Sequence, residues 1–185
     1  LLTADKNYKE LLKQAKLFKV KNLIISDKKS YLRLKKHKFS FKINIYENFF
    51  SLKKIFKHKI DYSMSAISGF EGLYPTLKII KHTKIIAIAN KEAIICGWSL
   101  LNKELKKNKT KFVPVDSEHF SIFYALKNNS IENIENIYLT ASGGPFHETP
   151  LNEFKNIKVD DALKHPNWKM GKKISIDSAT LMNKV

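Results

Sequence analysis

At 185 residues with 43% hydrophobic content, the chain can bury a real core in one large domain or two small ones, and no apolar run approaches the roughly 20 residues that span a bilayer. Cys96 is the only cysteine, which excludes an intramolecular disulfide and a multi-cysteine metal site; with no secretory signal pattern at its start, a cytoplasmic protein without membrane partners is expected. The formal charge of +17 invites a nucleic-acid partner, but it comes from lysines spread along the whole chain, and Arg33 is the single arginine where base and phosphate recognition favour arginine, so no nucleic-acid partner is expected.

Leu1-Leu2-Thr3 reads as a strand already in progress. Lys6 to Val20 carries Tyr8, Leu11, Leu12, Ala15 and Phe18 at helical spacing. A short apolar strand follows at Leu23 to Ile25, then a helix over Ser30 to His37 and an extended stretch over Ile43 to Tyr46. Phe49 to Lys57 reads as helix, Ile60 to Ile67 as strand, Gly72 to His82 as helix and Ile85 to Ala89 as a strongly apolar strand. Lys91 to Lys107 is helical and Phe112 to Val115 extended.

Short apolar strands separated by helical patterns mark βαβ units on a parallel sheet, which binds ligands at the carboxyl ends of its strands. Ala66 to Gly69 and Ala89 to Glu92 sit at such ends. The pattern predicts an α/β fold: a partial Rossmann-like, doubly wound parallel sheet over residues 1–111, followed by an α+β domain over 112–185. No G-x-G-x-x-G turn precedes Leu1, so a strand, glycine turn and helix are expected upstream.

Chemically suggestive residues gather after Phe112. In Val113-Pro114-Val115-Asp116-Ser117-Glu118-His119, two carboxylates stand at i and i+2, on one side of an extended segment. Such hard oxygen donors suit Mg²⁺ or Mn²⁺; equally, Asp116 fits an ordinary N-cap for a helix starting at Ser117. The segment Ile137 to Ala141 reads as a strand ending in Ser142-Gly143-Gly144-Pro145, which is either an anion-holding turn or a plain strand exit. Lys172 to Ile176 reads as extended, with Asp177 to Thr180 turning into a helix that carries Asn183 and Lys184. His165 to Gly171 places Trp168 in a loop bracketed by proline and glycine, either a lid over a ligand or a plug at the edge of the core. Lys91 follows a buried strand and points either to solvent or into the cleft. No G-x-S-x-G, H-E-x-x-H or P-loop motif occurs.

Ala89 to Ala93, Ser65 to Leu77, Pro114 to His119, Ala141 to Phe146 and His165 through Lys184 together resemble the 1-deoxy-D-xylulose 5-phosphate reductoisomerase family. The resemblance implies an NADPH- and divalent-metal-dependent enzyme, using Mg²⁺, Mn²⁺ or Co²⁺. Its substrate would be a phosphorylated sugar, rearranged to an aldehyde and reduced to 2-C-methyl-D-erythritol 4-phosphate, in a homodimer. Residues 1–111 would be the NADPH-binding domain and 112–185 the catalytic domain. Asp116 and Glu118 resemble metal ligands; Lys91 and Ser117 resemble substrate contacts beside them. Ser142, Ser178, Asn183 and Lys184 resemble the phosphate-holding set, with His165 at the same end. Lys91, Asp116, Glu118 and His165 would be the catalytic set. Trp168 and Met170 resemble a flap, and Asn90, Glu92 and Gly171 resemble NADPH contacts. Lys6 and Asn7 stand where the family grips the adenosine 2′-phosphate. Asp5, His147 and Val185 depart from the family pattern at positions where glycine, arginine and glycine are usual. A third metal ligand is expected three residues beyond Lys184, so the 185 residues alone are expected to be inactive. Two other readings compete: a metal-free NAD(P)-dependent dehydrogenase and a basic nucleic-acid-binding module.

Overall fold

The structure, a computed structural model, describes residues 1–184 except for the side chain of Asn183. The phosphate-holding role expected of Asn183 and the departure at Val185 therefore lie outside the described residues. The first unit runs β1 (Leu2–Ala4), α1 (Tyr8–Leu17), β2 (Asn22–Ile25), α2 (Lys28–Lys35) and β3 (Asn44–Tyr46). Its strands form a parallel sheet in the order β1-β2-β3. Leu23, Ile24 and Ile25 of β2 are all fully buried, the mark of a parallel strand covered on both faces. Leu11 and Ala15 of α1 and Leu34 of α2 close over Leu23 and Ile25. Asp27 caps α2, its carboxylate accepting from the Ser30 amide at 2.8 Å.

The chain then passes through a 3₁₀ turn at Phe49–Ser51 into the short α3 (Leu52–Ile55). A second parallel sheet follows, in the order β4-β5-β6: β4 (Ile60–Ser65), α4 (Leu73–Ile80), β5 (Thr83–Ile88), α5 (Lys91–Asn108) and β6 (Lys111–Pro114). Leu73 and Ile80 of α4 and Ala93, Leu101 and Leu105 of α5 pack on Ile86 and Ile88 of β5. Two buried hydroxyls help to fix this layer, Thr76 donating to the Gly72 carbonyl at 2.6 Å while sharing a hydrogen bond with Ser65.

The expected parallel α/β architecture is present, with two differences from the sequence reading. The strands make two three-stranded sheets, and among the described residues no ladder joins one to the other. After β6 no strand forms among the described residues: Ile137 to Ala141 is irregular, and Lys172 to Ile176, expected to be extended, belongs to helix α8 (Lys172–Thr180). A strand needs a ladder partner for its amides and carbonyls, and neither segment has one here. The Lys-Lys-Ile-Ser-Ile alternation is overridden by helical support: Ser175 donates its amide to the Gly171 carbonyl at 3.0 Å, and Lys173 pairs with Asp177 at i, i+4 across 2.9 Å. Between β6 and α8 lie α6 (Ser117–Leu126), two further 3₁₀ segments and α7 (Val159–Ala162).

Because β4, β5 and β6 are parallel, their carboxyl ends share one rim. Asn90 organises it: its amide nitrogen donates to the carbonyls of Ile67 and of Gly69 (2.8 Å), and its oxygen caps α5 through the Ala93 amide at 2.8 Å. Gly72 backs directly onto this side chain, and a Cβ there would overlap Asn90 Nδ2 and the Ile67 carbonyl. The rim thus fixes where α5 begins, and with it Lys91. No helix among the described residues is long and apolar enough to cross a membrane.

Candidate active site at the rim of the second sheet

Asp116 occupies the N-cap position of α6 in extended conformation, yet its side chain makes no capping hydrogen bond. Its Oδ1 instead meets His119 Nδ1 at 2.8 Å, and its Oδ2 lies 3.5 Å from Lys91 Nζ. The carboxylate is thus directed at His119 and at the Lys91 ammonium. Glu118, in the first turn of α6, accepts from Lys184 Nζ. The pair does not arise by strand alternation, since β6 ends at Pro114; the turn into α6 brings both acids to the rim. Burial pushes the Asp116 carboxyl up, but hydrogen bonds from His119 and Glu118 and the Lys91 charge outweigh it, holding the pKa at about 2.

Two carboxylates facing cations have the donor chemistry that Mg²⁺ takes, one or two carboxylates with water and substrate oxygens completing its shell. Among the described residues no cluster of three or more His, Cys, Asp and Glu gathers.

The serines expected to hold phosphate meet one another. Ser142 Oγ lies 2.7 Å from Ser178 Oγ, and His165 Nε2 lies 3.3 Å from Ser142 Oγ. The Trp168 indole stacks on the His165 ring at 5.0 Å between centroids and is 57% exposed, so Trp168 covers the histidine rather than plugging the core. Gly144 brings the loop against α8: with φ of +63°, it leaves room where a Cβ would stand 2.8 Å from the Ser178 carbonyl oxygen. An open groove of about 660 Å³ runs past Ser142, Gly144, Pro145, His147 and Pro166. Met170 is half-buried and Ser117 exposed.

The two clusters are joined by α8. Ser178 belongs to the serine cluster, while its neighbour Asp177 forms an ion pair with Lys91 at 3.2 Å and accepts from Lys173 at 2.9 Å. Lys173 also reaches Glu92 at 2.8 Å, so Glu92 is tied to α8 one residue after Lys91. Lys184 sits with the carboxylates rather than with the serines. The side chain of Asn90 is buried and committed to the rim, leaving only one lone pair of Oδ1 for any further partner. Gly171 is the exposed N-cap of α8, with nothing near the position of a Cβ. Lys6 and Asn7 stand apart at the end of β1: Asn7 caps α1 through the Glu10 amide, and no hydrogen bond or ion pair among the described residues links either to the rim of the second sheet.

Sequence reasoning missed Asp177, Lys173 and His119. The i, i+4 spacing of Lys173 and Asp177 was the available signal, hidden because the segment also alternates like a strand. Burial acts against the charged forms of Glu92 and Lys173, but their mutual hydrogen bond prevails, lowering Glu92 and raising Lys173. The bridge is therefore expected to persist from the ordinary glutamate value of 4.5 to the ordinary lysine value of 10.5. It is lost as pH falls through the depressed Glu92 pKa or rises through the elevated Lys173 pKa. Urea midpoints of wild type and Glu92→Gln across pH check this: a difference of at most about 1 kcal/mol, flat inside the window and shrinking outside it.

Known families bear directly on this geometry. The family model for 1-deoxy-D-xylulose 5-phosphate reductoisomerase matches residues 1–97, and the model for the C-terminal domain of the same enzyme matches residues 112–185. The chain belongs to the 1-deoxy-D-xylulose 5-phosphate reductoisomerase family. The reductoisomerase of Pelagibacter ubique is 65% identical over 187 residues, covering 100% of this chain and 48% of its own length. The Zymomonas mobilis reductoisomerase, solved in complex with NADPH, is 35% identical with a TM-score of 0.80, over 100% of this chain and 48% of that one. A reductoisomerase solved with NADPH, fosmidomycin and magnesium is 32% identical with a TM-score of 0.75, over 98% of this chain and 48% of that one. The chain thus spans about half the length of the reductoisomerases it matches.

Proposed function

We propose that these residues form the NADPH-binding unit (1–111) and the metal- and substrate-binding unit (112–185) of an enzyme that isomerises and reduces 1-deoxy-D-xylulose 5-phosphate to 2-C-methyl-D-erythritol 4-phosphate. The observation that carries this reading is the convergence on α8 of an acid–lysine cluster and a serine–histidine cluster, a few residues apart. The ligands of the solved relatives, NADPH in one and NADPH, fosmidomycin and magnesium in another, agree with it.

A divalent cation held by Asp116 and Glu118 would stabilise negative charge on neighbouring substrate oxygens, and NADPH would supply the hydride. Lys91 donates to a substrate oxygen beside the two acids, and Ser117 offers a hydroxyl at the same end. Ser142 and Ser178 donate to the phosphate, with Asn183 offering an amide, while Lys184 supplies its charge beside Glu118. His165 orients Ser142 from its imidazole Nε2, and Trp168 and Met170 keep water from the covered site. Asn90 sets the start of α5 and Glu92 steadies it through Lys173, while Gly171 leaves room for the cofactor to approach. Lys6 and Asn7 supply an ammonium and an amide suited to the adenosine 2′-phosphate.

Chelation tests the reading. In the gene product carrying these residues, NADPH oxidation should require both the sugar phosphate and a divalent ion, stop when EDTA is added, and return when excess Mn²⁺ is restored. Turnover that survives chelation would favour a metal-free dehydrogenase instead.

A further inference from the structure

Asp177 is 9% exposed, and a carboxylate so covered is tolerated only when paired. It has two ammonium partners on different elements: Lys173, one turn back on α8, and Lys91, the first residue of α5. Lys91 in turn stands between two acids, Asp177 at 3.2 Å and Asp116 at 3.5 Å, with its side chain 22% exposed. One of those two acids is the carboxylate read above as a metal ligand. A divalent ion on Asp116 takes away that counter-ion and repels the Lys91 ammonium. Asp177 is then the remaining anion paired with Lys91 among the described residues, and it sits beside Ser178 of the serine cluster.

We propose that Asp177 is a positioning residue: as the second counter-ion of Lys91, it keeps that ammonium in the site when a divalent cation occupies Asp116. The inference rests on the metal reading of Asp116 and Glu118 and adds a residue to it. In the absence of Asp177, Lys91 has Asp116 alone, and a metal ion must strip it of its last partner. Metal binding and lysine placement are therefore coupled through Asp177.

The test is Mn²⁺ binding to the gene product, read by the electron paramagnetic resonance of free Mn²⁺, in a cycle of Asp177→Asn and Lys91→Met. Asp177→Asn should weaken Mn²⁺ binding about tenfold in the wild-type background, within the span seen when partners of metal ligands are lost. In the Lys91→Met background the same change should cost less than about twofold, because no lysine then competes for Asp116. Equal losses in both backgrounds, or none in either, would overturn the proposal. A merely structural Asp177 would lower affinity alike in both. Turnover gives a second readout: Asp177→Asn should lower kcat with the KM for NADPH unchanged, and Asp177→Glu should recover part of the loss. If Asp177→Asn does not fold, acetylation of Lys91 in the wild type decides: protection retained at saturating Mn²⁺ supports the proposal, and protection lost overturns it. The underlying metal reading fails separately, if Asp116→Asn leaves Mn²⁺ binding intact; that result would sink both.

Discussion

Replacing Asp116 by asparagine is expected to lower turnover about a thousandfold while leaving the fold intact. Asparagine is nearly isosteric and itself a favoured N-cap residue, so the start of α6 should survive the change. What is lost is a negative charge held ionised by His119 and Lys91, with a pKa at about 2. Lewis-acid stabilisation of developing charge is worth several kcal/mol, and each 1.36 kcal/mol is a factor of about ten, which gives the magnitude. Steady-state NADPH oxidation with the sugar phosphate and Mn²⁺ measures it, with circular dichroism as the check on folding. A loss below about fivefold would mean that the reaction proceeds without this acid.

Gly72→Ala is expected to be the most damaging single methyl in the chain. The added Cβ falls on Asn90 Nδ2 and the Ile67 carbonyl, so the asparagine must leave the position from which it caps α5 and holds the loop at Ile67 and Gly69. Loss of the cap costs about 1 kcal/mol, and an unsatisfied buried amide about 1–3 kcal/mol more. Lys91 and Glu92 are the next two residues, so the start of α5 moves and the lysine with it. A displacement of about 1 Å near a reacting group costs up to about a hundredfold in rate. Urea unfolding and kcat/KM should therefore fall together. Asn90→Ala should reproduce most of the stability loss, since it removes the same cap without the clash.

The units that the sequence makes legible are those whose physics is local. The runs at Leu23 to Ile25 and Ile85 to Ile88 are apolar without alternation and bounded by polar turns, and each became the buried central strand of a parallel sheet. The stretch from Lys91 to Asn108 has a cap, a stripe ending in Leu101 and Leu105, and a left-handed Lys109 to stop it. Pairing across distance was not legible: the segment at Ile137 to Ala141 has strand composition but no partner strand among the described residues. Lys172 to Ile176 alternates, yet its Lys173–Asp177 spacing serves a helix equally well, and the helix wins. The same holds at the site. Asp116 and Glu118 stand out as candidates through donor chemistry, and Ser142 through its glycines. Asp177 was read as a turn residue, because its role depends on α8 lying against the start of α5, a contact that nothing in its own neighbourhood announces.

In the proposed function, Asp116 and Glu118 share one divalent ion at the rim of β4, β5 and β6. Crystals of the gene product soaked in Mn²⁺ and measured for anomalous scattering test it most directly. A manganese peak bonded to oxygens of both carboxylates is expected, with the Lys184 ammonium moved off Glu118. A peak on one acid alone, or a manganese ion elsewhere with Lys184 still on Glu118, would contradict it.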